Sequence, residues 1–396
     1  MLFYAQQVDI DKASRRHDVI LDVATMDDHV RLAQALGGQS QPDRSATSNQ
    51  ASMLQFSYTP SSYKSLKEGS WYDIDLNAFA DAQYHIVSPD SEGASFLRAK
   101  LAGVPNQNNF AQFLTEPRVA NVPASTSQLV IEPNPKGSVT LTVVDCGHGN
   151  WNEIATNTDR VIYDVGASRW FTKSQVRAMV AGRSIGSETR PISVIISHWD
   201  VDHYHALLEF EPTELAKLRV VFMPSQVPDT ATYRRVLKLL TDHSVVLTAL
   251  QPASRKSTSR VISLEPHSQN GIFTLFRATS GRSRNQTGIV LGVRGQRKVA
   301  LLTGDHHYDK VLTAARKMAT YSRQHCVLVT PHHGGPAGTP SAAEWLTFFS
   351  SMTALISCGL NSYGHPLTTV KAELGAMQAG VLPIRTDRHG TWTEPL

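Results

Sequence analysis

The apolar run Val194-Ile195-Ile196 passes straight into Ser197-His198-Trp199-Asp200-Val201-Asp202-His203, so a stretch suited to a buried strand ends on four potential metal ligands within six residues. A loop leaving a strand can turn alternate side chains inward. His198 and Asp200 could then share one ion while Asp202 and His203 face a second. A single His-x-Asp has a plainer explanation, a polar strand-to-helix connection with Asp202 as the helix N-cap. The full set of imidazoles and carboxylates behind an apolar strand fits a borderline divalent metal better than a cap.

The same pattern returns downstream. Val299 to Thr303 ends in Gly304-Asp305-His306-His307, Val327 to Thr330 ends in Pro331-His332-His333-Gly334, and Ala354 to Ser357 leads through Gly359 and Asn361 to Gly364-His365-Pro366. Four strand ends that each carry His or Asp can be gathered along one sheet edge, where small-molecule sites form.

From about residue 138 short apolar strands alternate with amphipathic helices. Strands are expected over 138–145, 160–165, 192–197, 218–223, 245–250, 272–278, 287–293, 298–303, 326–330, 354–357 and 382–386, and helices over 172–180, 229–240, 308–321, 341–350 and 367–379. No internal repeat is evident. The first part reads differently: a strand and helix over 17–36, a polar loop over 37–52, then the run 103–109 and a stretch from 117 to 136 with prolines at 117, 123, 133 and 135, which read as a linker or wrapped arm. The sequence therefore suggests an accessory segment over 1–130 and a main domain over 131–396. At 396 residues, 41% hydrophobic and 18% charged, the chain has an ordinary globular profile and excludes fibrous and low-complexity classes. A net charge of +4 tolerates a phosphate-bearing substrate without announcing a nucleic-acid binder. Cys146, Cys326 and Cys358 are odd in number and far apart, which argues for buried thiols over a disulfide framework. With no basic leader and no 18-residue apolar window, the expectation is a soluble, cytoplasmic protein with no membrane partner.

Residues from about 138 onward resemble the metallo-β-lactamase superfamily, and within it the β-lactamase-like domain of ComEC/Rec2-type DNA-uptake proteins and their free-standing relatives. The resemblance rests on Val143-Val144-Asp145-Cys146-Gly147-His148-Gly149, on Val161-Ile162-Tyr163-Asp164-Val165-Gly166, and on His198 to His203, where Asp200 stands at a position that most of the superfamily fills with His. It continues through Arg284-Asn285-Gln286-Thr287, Leu302-Thr303-Gly304-Asp305, Pro331-His332-His333-Gly334 and Gly364-His365-Pro366. Three departures stand out. Thr287 comes one position early, Tyr204-His205-Ala206 replaces the glycine after the ligand loop, and the chain stops soon after Thr386-Asp387-Arg388-His389-Gly390-Thr391.

The resemblance implies an α/β fold, an αββα metallo-β-lactamase sandwich of two mixed sheets flanked by helices, with an extra N-terminal α+β segment. It implies two divalent ions, Zn²⁺ or Mn²⁺, and a hydroxide shared between them as nucleophile. His198, Asp200 and His332 or His333 would hold one ion, and Asp202, His203 and His365 the other, with Asp305 bridging. Asp202 would also orient the water or assist proton transfer, and Asn285 could hydrogen-bond a phosphate oxygen or simply serve a turn. Asp200 in place of His makes the site harder and shifts preference towards manganese or magnesium. His148, His205, His306 and His307 are read as satisfied or exposed histidines that could also back the ligands. Asp145 and Asp164 are read as turn and hydrogen-bonding residues, and Arg385, Arg388 and His389 as solvated groups or phosphate holders. Three functions follow: a phosphodiesterase or nuclease acting on nucleic acid or nucleotides, a zinc-dependent lactam, lactone or thioester hydrolase, and an effector that meets a protein partner through residues 1–130 in a competence or phage-defence setting.

Overall fold

The computed structural model of the chain describes residues 137–396 except 255–261, 282–283, 320–323 and 362–363; before 137 it describes 1–11, 15–25, 27–28, 31–32, 53–58, 66–74, 85–87, 97–100, 110–112 and 119–121. The loop expected over 37–52, the 103–109 run and, apart from 119–121, the proline-rich 117–136 stretch lie outside these residues. The chain forms two compact units, one made of 1–121, 169–178 and 226–239, the other of 122–168, 179–225 and 240–396.

The first unit carries β1 (Leu2–Asp11), β2 (Arg16–Val23), β3 (Met53–Tyr58), β4 (Trp71–Ile74), β5 (His85–Val87), β6 (Leu97–Lys100) and β7 (Phe110–Gln112), in the order β5-β6-β3-β2-β1-β4-β7. β8 (Val119–Asn121) pairs antiparallel with a later strand, β14 (Gln226–Pro228). Alternation sets the inner face: Val19, Leu21 and Val23 of β2 are buried with Phe3 and Ala5 of β1 and with Leu54 of β3.

The second unit contains two seven-stranded sheets. Sheet I holds β9 (Thr140–Val143), β10 (Trp151–Ala155), β11 (Arg160–Val165), β12 (Ile192–Ile195), β13 (Leu218–Pro224), β15 (Val246–Leu250) and β23 (Trp392–Pro395), in the order β15-β13-β12-β11-β10-β9-β23. Sheet II runs in sequence order: β16 (Leu264–Asn270), β17 (Phe273–Ala278), β18 (Ile289–Arg294), β19 (Lys298–Leu302), β20 (His325–Val329), β21 (Met352–Ile356) and β22 (Ile384–Arg385). Each sheet begins as an antiparallel meander and continues as parallel strands, from β11 onward in sheet I and from β19 onward in sheet II. The plan is thus repeated, although no sequence repeat announces it.

The two sheets share a core: Leu141, Val161, Tyr163 and Ile195 from one pack with Leu291, Ala300 and Leu302 from the other. Tyr163 spends its hydroxyl inside that layer, donating to the Ile289 carbonyl at 2.7 Å. The other face of sheet II is covered by α5 (Tyr308–Met318), α6 (Ala342–Trp345) and α7 (Thr368–Met377), through Val311, Ala315, Trp345, Val370 and Leu374 among others. The remaining helices are α1 (Lys173–Gly182), α2 (Val201–Tyr204), α3 (Pro212–Leu215), α4 (Ala231–Asp242) and α8 (Thr386–His389). The expected α/β class with two mixed sheets and helices is what the chain adopts.

The helix expected over 341–350 shrinks to one capped turn, in which Ser341 Oγ accepts from the Glu344 amide. β10 escapes the sequence pattern because its centre is polar. Asn152 and Glu153 are buried there, and Glu153 accepts from Arg160 Nη2 at 2.8 Å and from Arg183 Nη2 at 2.6 Å. A buried carboxylate is tolerated only when such partners replace its water.

Candidate metal centre

Parallel strands deliver their carboxyl ends to one edge, and the ligand-type residues follow those ends: Asp164 within β11, His198 to His203 after β12, Asp305 after β19, and His332 and His333 after β20. The loop after β12 is pinned by Asp164, fully buried and in left-handed backbone (φ 60°). Its Oδ1 accepts from the Ser197 amide at 2.6 Å. Its Oδ2 accepts from Ser197 Oγ, Asn150 Nδ2 and His203 Nδ1, each at 2.8 Å. The approach of the segments is close enough to require glycine: a Cβ on Gly166 would lie 1.6 Å from the Asp202 carbonyl oxygen, and one on Gly288 2.2 Å from the Ser197 carbonyl oxygen.

The capping alternative for this loop is not what the structure shows. α2 begins at Val201 with Asp200 at the N-cap position, and Asp200 makes no side-chain cap bond. Asp202 lies inside the first turn, with its Oδ2 3.2 Å from His333 Nε2.

Around Asp305 the cluster divides. Its Oδ1 lies 3.3 Å from His203 Nε2, while its Oδ2 lies 3.8 Å from His198 Nε2 and 3.5 Å from His332 Nε2. Asp200 Oδ2 is 3.2 Å from His198 Nε2. Two sets of ligand atoms come within 4.8 Å of one another: those of His198, His203 and Asp305, and those of Asp202, His203 and His333.

Three of these histidines are held by their far nitrogens. His203 Nδ1 meets Asp164, His198 Nδ1 meets Ser197 Oγ at 2.9 Å, and His333 Nδ1 donates to the Ser357 carbonyl at 2.8 Å. Their Nε2 atoms point at the centre, buried and without hydrogen bonds among the described residues, as does Asp305 Oδ1. Buried polar atoms are normally satisfied, so a convergent group of unbonded imidazole and carboxylate atoms with anchored Nδ1 positions fits a divalent ion. His332 and His333 both adopt left-handed backbone (φ 50° and 53°), an uncommon arrangement for two successive side-chain-bearing residues and a form of strain that gathers at functional sites.

Charges within the cluster hold one another. Burial works against ionised Asp202, but His203 and His333 outweigh it and keep its carboxyl far below the usual range. Asp305 is held low in the same way, with His332 and His203 overcoming burial. Burial lowers His203 and His333, yet Asp305 and Asp164 lift the first, and Asp202 the second, above the ordinary imidazole value.

His365 stands at the rim, its ring 5.4 Å from that of His332 and 5.6 Å from that of His148; burial and the neighbouring imidazoles push it down to about 3. His148 is buried, its ring packed at a tilt 4.4 Å from that of His333. His205 donates Nδ1 to the Val201 carbonyl at 2.9 Å, and burial lowers it to about 4; His306 is buried and lowered to about 3; His307 meets Gln286 Nε2 at 3.1 Å. Asp145 is exposed and accepts from the Gly147 amide at 3.4 Å. Arg385 is engaged by Asp387, and His389 Nδ1 by the Arg385 carbonyl. Asn285 is half-buried in the 3₁₀ turn Arg284–Gln286 and makes no hydrogen bond to a cluster side chain among the described residues. The residue of this turn that touches the cluster is Arg284, whose Nη2 lies 2.8 Å from Asp200 Oδ1. Sequence reading passed it over. Its signal was slight, a cation beside the motif's asparagine.

No family model matches the sequence, and no curated protein matches it. Among solved structures, the chain is similar to the metallo-β-lactamase fold protein YhfI from Bacillus subtilis, with 12% identity, a TM-score of 0.41, and coverage of 66% of this chain and 100% of that one. It is also similar to Tm1679, described as a metal-dependent hydrolase of the β-lactamase superfamily (13% identity, TM-score 0.36, 65% and 99% covered), and to a diphosphatase of the PhnP family (12%, 0.36, 65% and 97%). At these scores the fold rests on the strand order and connections described above.

Proposed function

We propose that this chain is a metal-dependent hydrolase that cleaves phosphodiester bonds in a nucleic acid or nucleotide. The observation that carries the reading is the convergence of the buried, unbonded Nε2 atoms of His198 and His203 on Asp305, whose two oxygens face different histidines, beside that of His333 turned to Asp202. One half of the centre would be held by His198, Asp200, His332 and Asp305 Oδ2, the other by Asp202, His203, His333 and Asp305 Oδ1, with His365 beside the first. Two divalent ions, Zn²⁺ or Mn²⁺, would supply an acidified water and polarisation of the bond under attack. Asp202 would orient that water. Asn285 would contact a phosphate oxygen, and the anchored Nδ1 atoms would keep each ring in the tautomer that offers Nε2. A site with three carboxylates is harder than a histidine-rich one, which favours phosphoryl chemistry and manganese over lactam chemistry and zinc. Residues 1–130 would form an accessory segment, available to a protein partner.

The test combines metal analysis with a substrate panel of linear single- and double-stranded DNA, RNA and cyclic nucleotides in Mn²⁺, run beside a chromogenic lactam and a thioester in Zn²⁺. Cleavage of a phosphodiester that Asp202→Ala abolishes is expected. Metal-loaded protein that leaves every phosphodiester intact but opens the lactam or thioester would move the assignment to the second hydrolase class.

A further inference from the structure

A single arginine, and no lysine, pairs with the ligand cluster among the described residues, and it reaches there from a separate element. Arg284 lies in the turn before β18 and grips the loop after β12 at two points: Nη2 pairs with Asp200 Oδ1 at 2.8 Å, and Nη1 donates to the Trp199 carbonyl at 3.2 Å. Both charged side chains are sheltered, with exposures of 16% and 13%. Asp200 is therefore a divided carboxylate, one oxygen on a guanidinium and the other 3.2 Å from His198 Nε2. The other half differs. Asp202 Oδ2 faces His333 Nε2 at 3.2 Å, and no Arg or Lys pairs with Asp202 or Asp305 among the described residues.

We propose that Arg284 is a positioning residue that makes the two halves of the metal centre unequal. By sharing Asp200 it weakens divalent-ion binding in the half built on His198, Asp200 and His332, and it leaves the loaded centre one charge more positive than its ligands alone, a state suited to an anionic substrate. The inference rests on the metal-centre reading above. The physical argument concerns charge as well as shape. An oxygen that faces a guanidinium offers less electron density to a metal, and a fixed cation repels a divalent ion nearby in a poorly screened site. Holding Asp200 in place would by itself help an ion bind, but an orienting ion pair is a smaller effect than an added unit charge against a doubly charged ion.

The experiment is a Mn²⁺ titration of the chelator-stripped full chain, followed by calorimetry and by the electron paramagnetic resonance of free Mn²⁺, with no substrate present. Wild type should bind in two steps at least about tenfold apart. Arg284→Met and Arg284→Gln, neutral and of similar length, should tighten the weak step by about 10–100-fold, the scale of outer-ligand effects on metal sites. Arg284→Lys keeps the charge and should leave the weak step near its wild-type position. Asp200→Asn removes the shared carboxylate and should erase the weak step while the tight one persists. Neutral Arg284 variants whose weak step is unchanged or weaker would overturn the proposal, as would loss of the tight step in Asp200→Asn. A wild-type chain that binds no Mn²⁺ or Zn²⁺ would instead overturn the metal-centre reading itself, so the two failures are distinguishable.

Discussion

Replacing Asp164 by Asn keeps the shape of the side chain and changes what its two terminal atoms can do. As a carboxylate, Asp164 accepts four hydrogen bonds: from the Ser197 amide at 2.6 Å and from Ser197 Oγ, Asn150 Nδ2 and His203 Nδ1 at 2.8 Å each. An amide has one oxygen only. With nitrogen in the Oδ1 position, donor meets donor at the Ser197 amide; with nitrogen in the Oδ2 position, it faces the other three groups. The milder case loses one bond to a charged acceptor, about 1.5–3 kcal/mol, and strands a buried N–H, about 1–3 kcal/mol. We expect Asp164→Asn to cost roughly 3–5 kcal/mol, and at about 2–4 °C per kcal/mol its unfolding midpoint should fall by ~10 °C. The His203 ring loses its charged anchor at the same time, so affinity for a metal should fall by about 10–100-fold. Calorimetric unfolding of the metal-free chain and a Mn²⁺ titration measure the two effects. A midpoint within about 2 °C of wild type together with unchanged metal affinity would refute the argument that this carboxylate organises the loop.

Glu153 is the second buried hub, accepting from Arg160, from Arg183 twice and from Trp151 Nε1; Glu153→Ala takes the carboxylate from Arg183 and leaves buried Arg160 only Glu188 and the Arg183 carbonyl, and should destabilise the chain by about 3–5 kcal/mol in urea unfolding, with Glu153→Gln milder. In the first unit, burial pushes the Asp22 carboxyl up to about 7 against the pull of Thr230, Thr232 and Arg235. An acid with a raised folded pKa binds its proton more tightly when folded, so its contribution is complete below the ordinary value of 3.8 and is lost as pH rises through about 7. Stability should therefore drop by roughly 4 kcal/mol across that window, and Asp22→Asn should flatten the slope; equal slopes in both chains would contradict this. Because Asp305 and Asp164 raise the proton affinity of His203, and Asp202 that of His333, ion uptake near pH 7 should release protons and tighten as pH rises. Calorimetry in buffers of different ionisation heat checks this, with zero release as the contrary result.

Much of the centre was legible because apolar strands end abruptly on His and Asp, a signal that needs no knowledge of pairing. Asp305, His332 and His333 were found that way and do come together with His198, Asp200, Asp202 and His203. The pairing within the cluster was not legible. Asp202 faces His333, while His332 faces the oxygen of Asp305 that His198 also faces, and that depends on the left-handed turn at 332–333. Arg284 was missed for a related reason: its partner lies 84 positions away, and a lone arginine in a turn reads as solvated. β10 hid because buried Asn152 and Glu153 break the alternation that marks strands. The repeated sheet plan left no trace in sequence because hydrogen-bonded strand order is indifferent to which apolar residues fill it.

The two sheets of the second unit each send residues to the cluster, His198 to His203 from one and Asp305, His332 and His333 from the other, and all three cysteines are free thiols. An ion held there would close chain loops of more than a hundred residues, from 198 to 305 and from 202 to 333. Closing such loops removes conformations from the unfolded chain in the way a disulfide does, yet reversibly and at a position set by chemistry. The centre would then act as a removable staple between the sheets, and metal availability would set how firmly they stay together.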